Sequence, residues 1–232
     1  MQIIMKMKIL NFFLVFFVTL TSSLNLYAQE DVTTFLGIQI NGSKSEMINK
    51  LKEKGFKINQ YGQDILTGEF NGTNVNLHIG TNNNKVYRIM VADANTLNES
   101  DIKVRFNNLC QQFQNNSKYT FAISNSAFKI SESEDISYEM SVKNKRYEAI
   151  FYQTSELKPE EIQSYLLSKY SKEKLSNQTE EFKNELMSEI NSYLVQKQLN
   201  KVVWFMITEN SGRYYITMFY DNEYNRAKGE DL

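Results

Sequence analysis

VVWFMITENSGRYYITMFYD, residues 202–221, decides how this chain folds. Two runs of β-branched and aromatic residues flank an ENSG break, which is the signature of an antiparallel hairpin. With Asn210 and Ser211 at the tip and Glu209 opposite Gly212, alternation sends Val203, Phe205, Ile207, Tyr214, Ile216, Met218 and Tyr220 to one face, which reads as core. The other face carries Val202, Trp204, Met206, Thr208, Arg213, Tyr215, Thr217 and Phe219. Aromatic, methionine and arginine side chains together are what the centres of binding patches favour. A second layer of helices over that face is the competing expectation.

Working outward, the same organisation recurs. Upstream of the hairpin, Pro159 opens a helical region at a favoured first-turn position. The region breaks near SKEKLSNQ and resumes at Thr179, with Phe182, Leu186, Ile190 and Leu194 on one side. Before it, Ile102, Phe106, Leu109 and Phe113 recur at helical spacing between Ser100 and Gln114. ISYEMSV then reads as a strand, because Ile136, Tyr138, Met140 and Val142 alternate with polar residues, and KNKR turns it into the strand YEAIFYQ. Nearer the N-terminus, ILTGEF and NVNLHIG flank Asn71-Gly72, a strong hairpin signal, and KVYRIMVAD follows TNNN. The expected fold is therefore α+β: an antiparallel sheet with helices packed on one face, built from helix–hairpin units at 35–95, 98–154 and 158–222. With one proline and no Gly/Ser-rich linker after the leader, these units form a single domain over 29–232.

A near-miss must be read correctly. In FLGIQINGSKSEMINKLKEKGF, Phe35–Phe56, Gly37 and Gly42 precede Ser43, Lys44 and Ser45, which almost spells a phosphate-cradling loop. That loop needs lysine directly after its second glycine. Here Ser43 intervenes, and a one-residue slip turns a helical side chain by about 100°, away from a phosphate. Ser43 three residues before Glu46 is instead a capping box, followed by Met47, Ile48 and Leu51 on one stripe and a helix-closing Gly55.

Other chemistry-bearing residues are sparse. His78, the only histidine, falls with Asn74 and Asn76 opposite Val75, Leu77 and Ile79, on a polar strand face. The only cysteine, Cys110, follows Leu109 on an apolar helical stripe and reads as a buried thiol. Glu132, Glu134 and Asp135 cluster, as do Asp221 and Glu223, without calcium-loop spacing; solvated loops account for both groups. No catalytic, cofactor-binding or metal-binding residue is singled out, and no cofactor is expected.

The first residues, MQIIMKMKILNFFLVFFVTLTSSLNLYAQE, place Lys6 and Lys8 before an apolar run from Ile9 to Leu20 and end near Tyr27-Ala28. Residues 1–28 read as a secretory signal peptide, with an apolar run shorter than the roughly 20 residues of a spanning helix. No stable membrane span is expected once it is cleaved. Removing Lys6 and Lys8 from the 26 basic residues leaves 24 against 27 acidic ones, a net charge near −3, which speaks against a nucleic-acid partner. A single cysteine allows no internal disulfide, and no cysteine follows the apolar run to accept a lipid. The expected destination is periplasmic or secreted, in a bacterium.

The pattern FLGI-x-I-x-G-x(4)-M-x(3)-L-x(2)-K-G-F, with NNNKVYRIMVADAN, RFNNLCQQF and YYITMFYDNEYNRAKGEDL, resembles small secreted proteins of gut anaerobic bacteria that carry no known activity. The helix-plus-sheet unit also looks like the beta-lactamase-inhibitor-protein fold and the related outer-membrane assembly lipoprotein module. This chain lacks the lipobox of the latter and the paired cysteines of the former.

Three functions compete. The first is a non-enzymatic exported protein that binds another macromolecule through a sheet face, with Trp204, Met206, Arg213, Tyr215 and Phe219 as contact residues. The second is an envelope or secreted glycan hydrolase using two loop carboxylates. The third is self-association through the same aromatic face.

Overall fold

A computed structural model describes residues 31–59, 65–121, 129–155, 158–176, 179–227 and 229; the leader, 1–28, lies outside them. In chain order the elements are β1 (Thr34–Phe35), β2 (Ile38–Gln39), α1 (Lys44–Glu53), β3 (Lys57–Ile58), β4 (Ile65–Phe70), β5 (Thr73–Asn82) and β6 (Lys85–Asp93). Then come α2 (Glu99–Asn115), β7 (Tyr119–Phe121), α3 (Ile136–Ser141), β8 (Glu148–Gln153), α4 (Pro159–Lys169), α5 (Lys172–Ser176), α6 (Glu180–Leu199), β9 (Val202–Asn210) and β10 (Arg213–Asp221). The architecture is α+β. One sheet runs β3-β4-β5-β6-β10-β9-β8-β7, with each neighbouring pair antiparallel.

Two-residue turns set the register of the hairpins. Asn71-Gly72, Asn83-Asn84 and Ser211-Gly212 all hold positive φ, as the mirror-image turns of right-twisted strands require. The tip of the last hairpin is thus Ser211-Gly212, with Asn210 paired to Arg213, and not Asn210-Ser211. Gly212, at φ 75°, supplies the left-handed conformation that the expected tip left unfilled. The correction shifts the pairing by two residues, so the faces keep their parity. Val203, Phe205, Ile207, Tyr214, Ile216, Met218 and Tyr220 are all buried.

That face is the core. Met47 and Leu51 from α1, and Ile102, Phe106, Leu109 and Phe113 from α2, pack on it. Phe106, Phe113, Phe151 and Phe205 form its aromatic centre, with Phe113 and Phe151 4.7 Å apart. Ser43 caps α1 as expected: its hydroxyl accepts from the Glu46 amide, and Glu46 Oε2 accepts from the Ser43 amide at 2.9 Å. The Ser43 amide, and after it the Ser43 side chain, lower the pKa of the Glu46 carboxyl, and the reciprocal bonds identify the near-P-loop as a helix cap.

The segment ISYEMSV departs from expectation, since residues 136–141 form α3 and not a strand. Asp135 caps it by accepting from the Tyr138 amide at 2.8 Å. A short helix and a strand both satisfy this pattern; here Ile136 and Met140, one turn apart, face the core, while Tyr138 and Val142 are exposed. The antiparallel partner of β8 within the middle unit is β7, and α3 lies in the connection between them, so the expected ISYEMSV–YEAIFYQ hairpin is replaced by the pair β7–β8.

Ahead of α1, residues 31–40 form a strap that is part of this core. Val32, Thr33 and Phe35 are buried, and the Phe35 ring lies 5.0 Å from Phe70 and 4.9 Å from Tyr220. The Gln153 side chain imitates a strand partner: its Oε1 accepts from Thr34 N at 2.8 Å and its Nε2 donates to Thr34 O at 2.7 Å. Thr33 Oγ1 donates to Asp221 O, Asn222 Nδ2 donates to Ile40 O, and Lys201 Nζ holds Asp31 Oδ1 at 2.7 Å.

The described chain separates into two compact units, the sheet unit (Asp31–Ser155 with Tyr193–Leu232) and a helical one within Glu156–Ser192. In the helical unit Ile162, Leu166, Leu175, Phe182, Leu186 and Ile190 are buried. A two-rung ladder zips it antiparallel: Tyr165 and Lys169 both donate to Glu189, while Tyr170 donates to Glu185 with Lys174 beside it. Tyr165 and Lys169 are spaced i,i+4 on one face of α4, whereas Tyr170 is the extended residue that ends α4 and Lys174 belongs to α5. Among the described residues no helix is long and apolar enough to cross a membrane.

Candidate functional site

The second face of the sheet can be read row by row from strand register. One row runs Ile65, His78, Met90, Phe219, Trp204 and Ile150, crossing six strands from β4 to β8. At about 4.8 Å per strand it spans roughly 24 Å. Beside it lies Thr67, Asn76, Ala92, Thr217, Met206 and Glu148, and on the other side Gly80, Arg88 and Asp221. A band that is apolar except for His78 is thus bordered on one side by a mixed row and on the other by one ion pair.

The centre of the band is braced. Trp204 stacks on Phe219 with ring centroids 4.0 Å apart and planes at 16°. Arg88 lies against both rings, its guanidinium carbon 4.7 Å from the Phe219 ring centroid and 5.7 Å from that of Trp204. Asp221 closes the circuit: it accepts from Arg88 Nε at 2.6 Å, from Arg88 Nη2 at 2.7 Å and from Trp204 Nε1 at 3.0 Å. Its carboxylate is the largest cause holding the Arg88 pKa above its ordinary value. Ion pair, cation–π contact, stack and indole bond form one ring of contacts, so the rotamers of Trp204 and Phe219 are fixed together. Asp221 is 2% exposed, which corrects its reading as a solvated loop carboxylate.

The other expected contact residues are placed differently. Met206 lies opposite Thr217 and half buried, with Arg146 Nη2 3.8 Å from its sulfur. Tyr215 is half buried beside Thr208, whose hydroxyl bonds that of Thr217 at 2.8 Å. Arg213 is spent elsewhere: it donates to Thr96 Oγ1 at 3.0 Å and Thr96 O at 2.8 Å. Trp204, Phe219, Met206 and Tyr215 therefore share a face with Arg213 at its margin. Sequence reading missed Arg88, Met90 and Ile150; the signal for them is the β6–β10 and β8–β9 register, which alternation within one hairpin does not carry.

The remaining chemical candidates are engaged in structure. His78 sits half buried in the band, and burial pushes its pKa down, favouring the neutral imidazole. Cys110 is buried, and desolvation pushes its thiol up to about 12. Glu134 accepts from Tyr147 Oη at 2.5 Å and from Lys145, and these bonds lower its pKa. The nearby Lys103 donates to the carbonyls of Glu132 and Glu134 at 2.8 and 2.9 Å. Asp135 is a helix cap. Among the described residues no three histidine, cysteine or carboxylate side chains converge as metal ligands.

Fold and site together define an α+β protein with an aromatic, ion-pair-braced sheet face. Comparison with protein-family models, with curated proteins and with solved structures finds no match to this chain.

Proposed function

We propose that this chain is an exported, non-enzymatic protein that binds another protein through the second face of its sheet, with Trp204 as the anchor, Met206 and Tyr215 beside it, and Phe219, which is 9% exposed, as the buried ring on which the indole stacks and not as the expected contact residue. The observation that carries the reading is the closed circuit of Arg88, Phe219, Trp204 and Asp221. Binding hot spots favour large aromatic side chains whose conformation is set before the partner arrives, because ordering them on binding would cost affinity. Two of the clustered carboxylates are engaged in ion pairs, Asp221 with Arg88 and Glu134 with Lys145, and each also accepts from an aromatic side chain, Trp204 and Tyr147. The export reading rests on the leader-like residues 1–28.

The test begins with light scattering on the mature protein across a concentration series. A strict monomer directs the search to a foreign partner; a concentration-dependent dimer assigns the face to self-association. Cross-linked capture from envelope and culture-supernatant fractions then compares wild type with Met206→Glu and Trp204→Ala. A protein retained by wild type and lost from both variants, with circular dichroism unchanged, supports the reading. Equal retention by all three overturns it.

A further inference from the structure

We infer that the protein bound by the second face of the sheet is another copy of this chain, stacked about a two-fold axis along the strands near β6; this rests on the reading of that face as a binding surface. The row beside the aromatic band begins at Lys57 of β3, opposite Thr67, and ends at Glu148 of β8, opposite Met206. In the next row Glu69 of β4, opposite Asn74, stands at the first end. Arg146 stands at the other, its Nη2 2.9 Å from Glu148 Oε2 and 3.8 Å from the sulfur of Met206. One end of the face therefore carries base then acid, and the other acid then base. Lys57, Glu69 and Arg146 are exposed, and the Glu148 side chain keeps 37% of its exposure.

Two identical copies in a closed pair present the same patch to each other, so the patch must complement itself. A two-fold axis along the strands lays the β3–β4 end of one copy over the β8 end of the other and keeps each row on itself. Lys57 then faces Glu148 of the second copy, and Glu69 faces its Arg146. The band meets itself as well: Trp204 of β9 lies over Ile65 of β4, and the two Met90 side chains meet at the axis. A two-fold across the strands does one or the other. Beneath the band it leaves the four charges unmatched, and between the two charged rows it moves the band off itself. Size agrees. Six strands at about 4.8 Å and four rows at about 6.8 Å cover roughly 780 Å², against ~800 Å² per partner in a stable interface. Stacked sheets of this kind keep their strands within about 30° of each other.

Sedimentation velocity of the mature protein across a concentration series measures the pair, with far-UV circular dichroism as the control for folding. The expected result is a reversible dimer. A symmetric pair makes each charge contact twice, so Lys57→Glu or Glu148→Lys turns two attractions into two repulsions and is expected to weaken the dimer about tenfold. The double variant, with both charges exchanged, is expected to return to within about threefold of wild type. Inside one chain the two positions stand six strand spacings apart, about 29 Å, so recovery reports a contact between copies. A dimer indifferent to both reversals, or a double variant no tighter than the single ones, overturns the inference. A strict monomer overturns it too, but leaves the binding reading open to a foreign protein. Capture by wild type against Met206→Glu and Trp204→Ala then decides that reading separately, since equal retention by all three defeats it whatever the state of association.

Discussion

The indole Nε1 of Trp204 donates to Asp221 Oδ2 at 3.0 Å, and the same carboxylate accepts from Nε and Nη2 of Arg88. Replacing Asp221 by Asn removes the charge that pairs a largely buried guanidinium. The expected cost is about 2–4 kcal/mol, below that of a fully buried pair because the Arg88 side chain keeps 22% of its exposure. Urea unfolding measures it. Trp204 is the only tryptophan, so a red shift in native fluorescence reports the loosened indole directly.

Gln153→Leu keeps bulk against the core but leaves the Thr34 N–H and C=O without their partner. Each orphaned group costs about 1–3 kcal/mol when water cannot reach it. Hydrogen exchange of the amides at 32–40 is expected to accelerate beyond the change in global stability, because the strap detaches first. Uniform acceleration across the sheet would count against this.

Cys110 yields a pH prediction. Its folded pKa is raised to about 12 from an unfolded value near 9, by burial. A raised pKa stabilises the fold below the unfolded value, and that contribution is lost as pH rises from 9 towards 12. Cys110→Ala is expected to flatten the alkaline fall in stability between those limits. At pH 8 a thiol reagent should label Cys110 only at the rate of opening.

Gly68 in β4 lies under Phe56, where an added Cβ would meet the ring at 2.5 Å. Gly68→Ala therefore forces a buried side chain, 3% exposed, out of place at an expected cost of about 1–3 kcal/mol. In a double-mutant cycle, Phe56→Leu should recover part of that cost; additive effects would show that the two positions do not communicate.

How much of this was legible beforehand follows from the range of each interaction. The capping box at Ser43–Glu46 and the stripe Ile102, Phe106, Leu109, Phe113 are local, and they fold as the sequence indicates. So does the two-faced pattern of residues 202–221: a misplaced tip slid the register by two residues, and a two-residue slide changes no side chain's face. ISYEMSV misleads because six residues with Ile136 and Met140 apolar suit a strand or one and a half helical turns, and only the Asp135 cap and the core position of Ile136 choose between them.

The sequence by itself determined the strand-and-helix alphabet of this protein and which side of each element is apolar, because those depend on periods of 2 and 3.6 residues. Tertiary structure alone decided what stands beside what. Arg88 and Asp221 are 133 residues apart, and Thr34 and Gln153 are 119 apart. They meet because β10 inserts next to β6 and the strap crosses the core, choices governed by burial over the whole sheet and not by any local pattern. The aromatic face was visible as composition; the ion pair that braces it exists only in the fold.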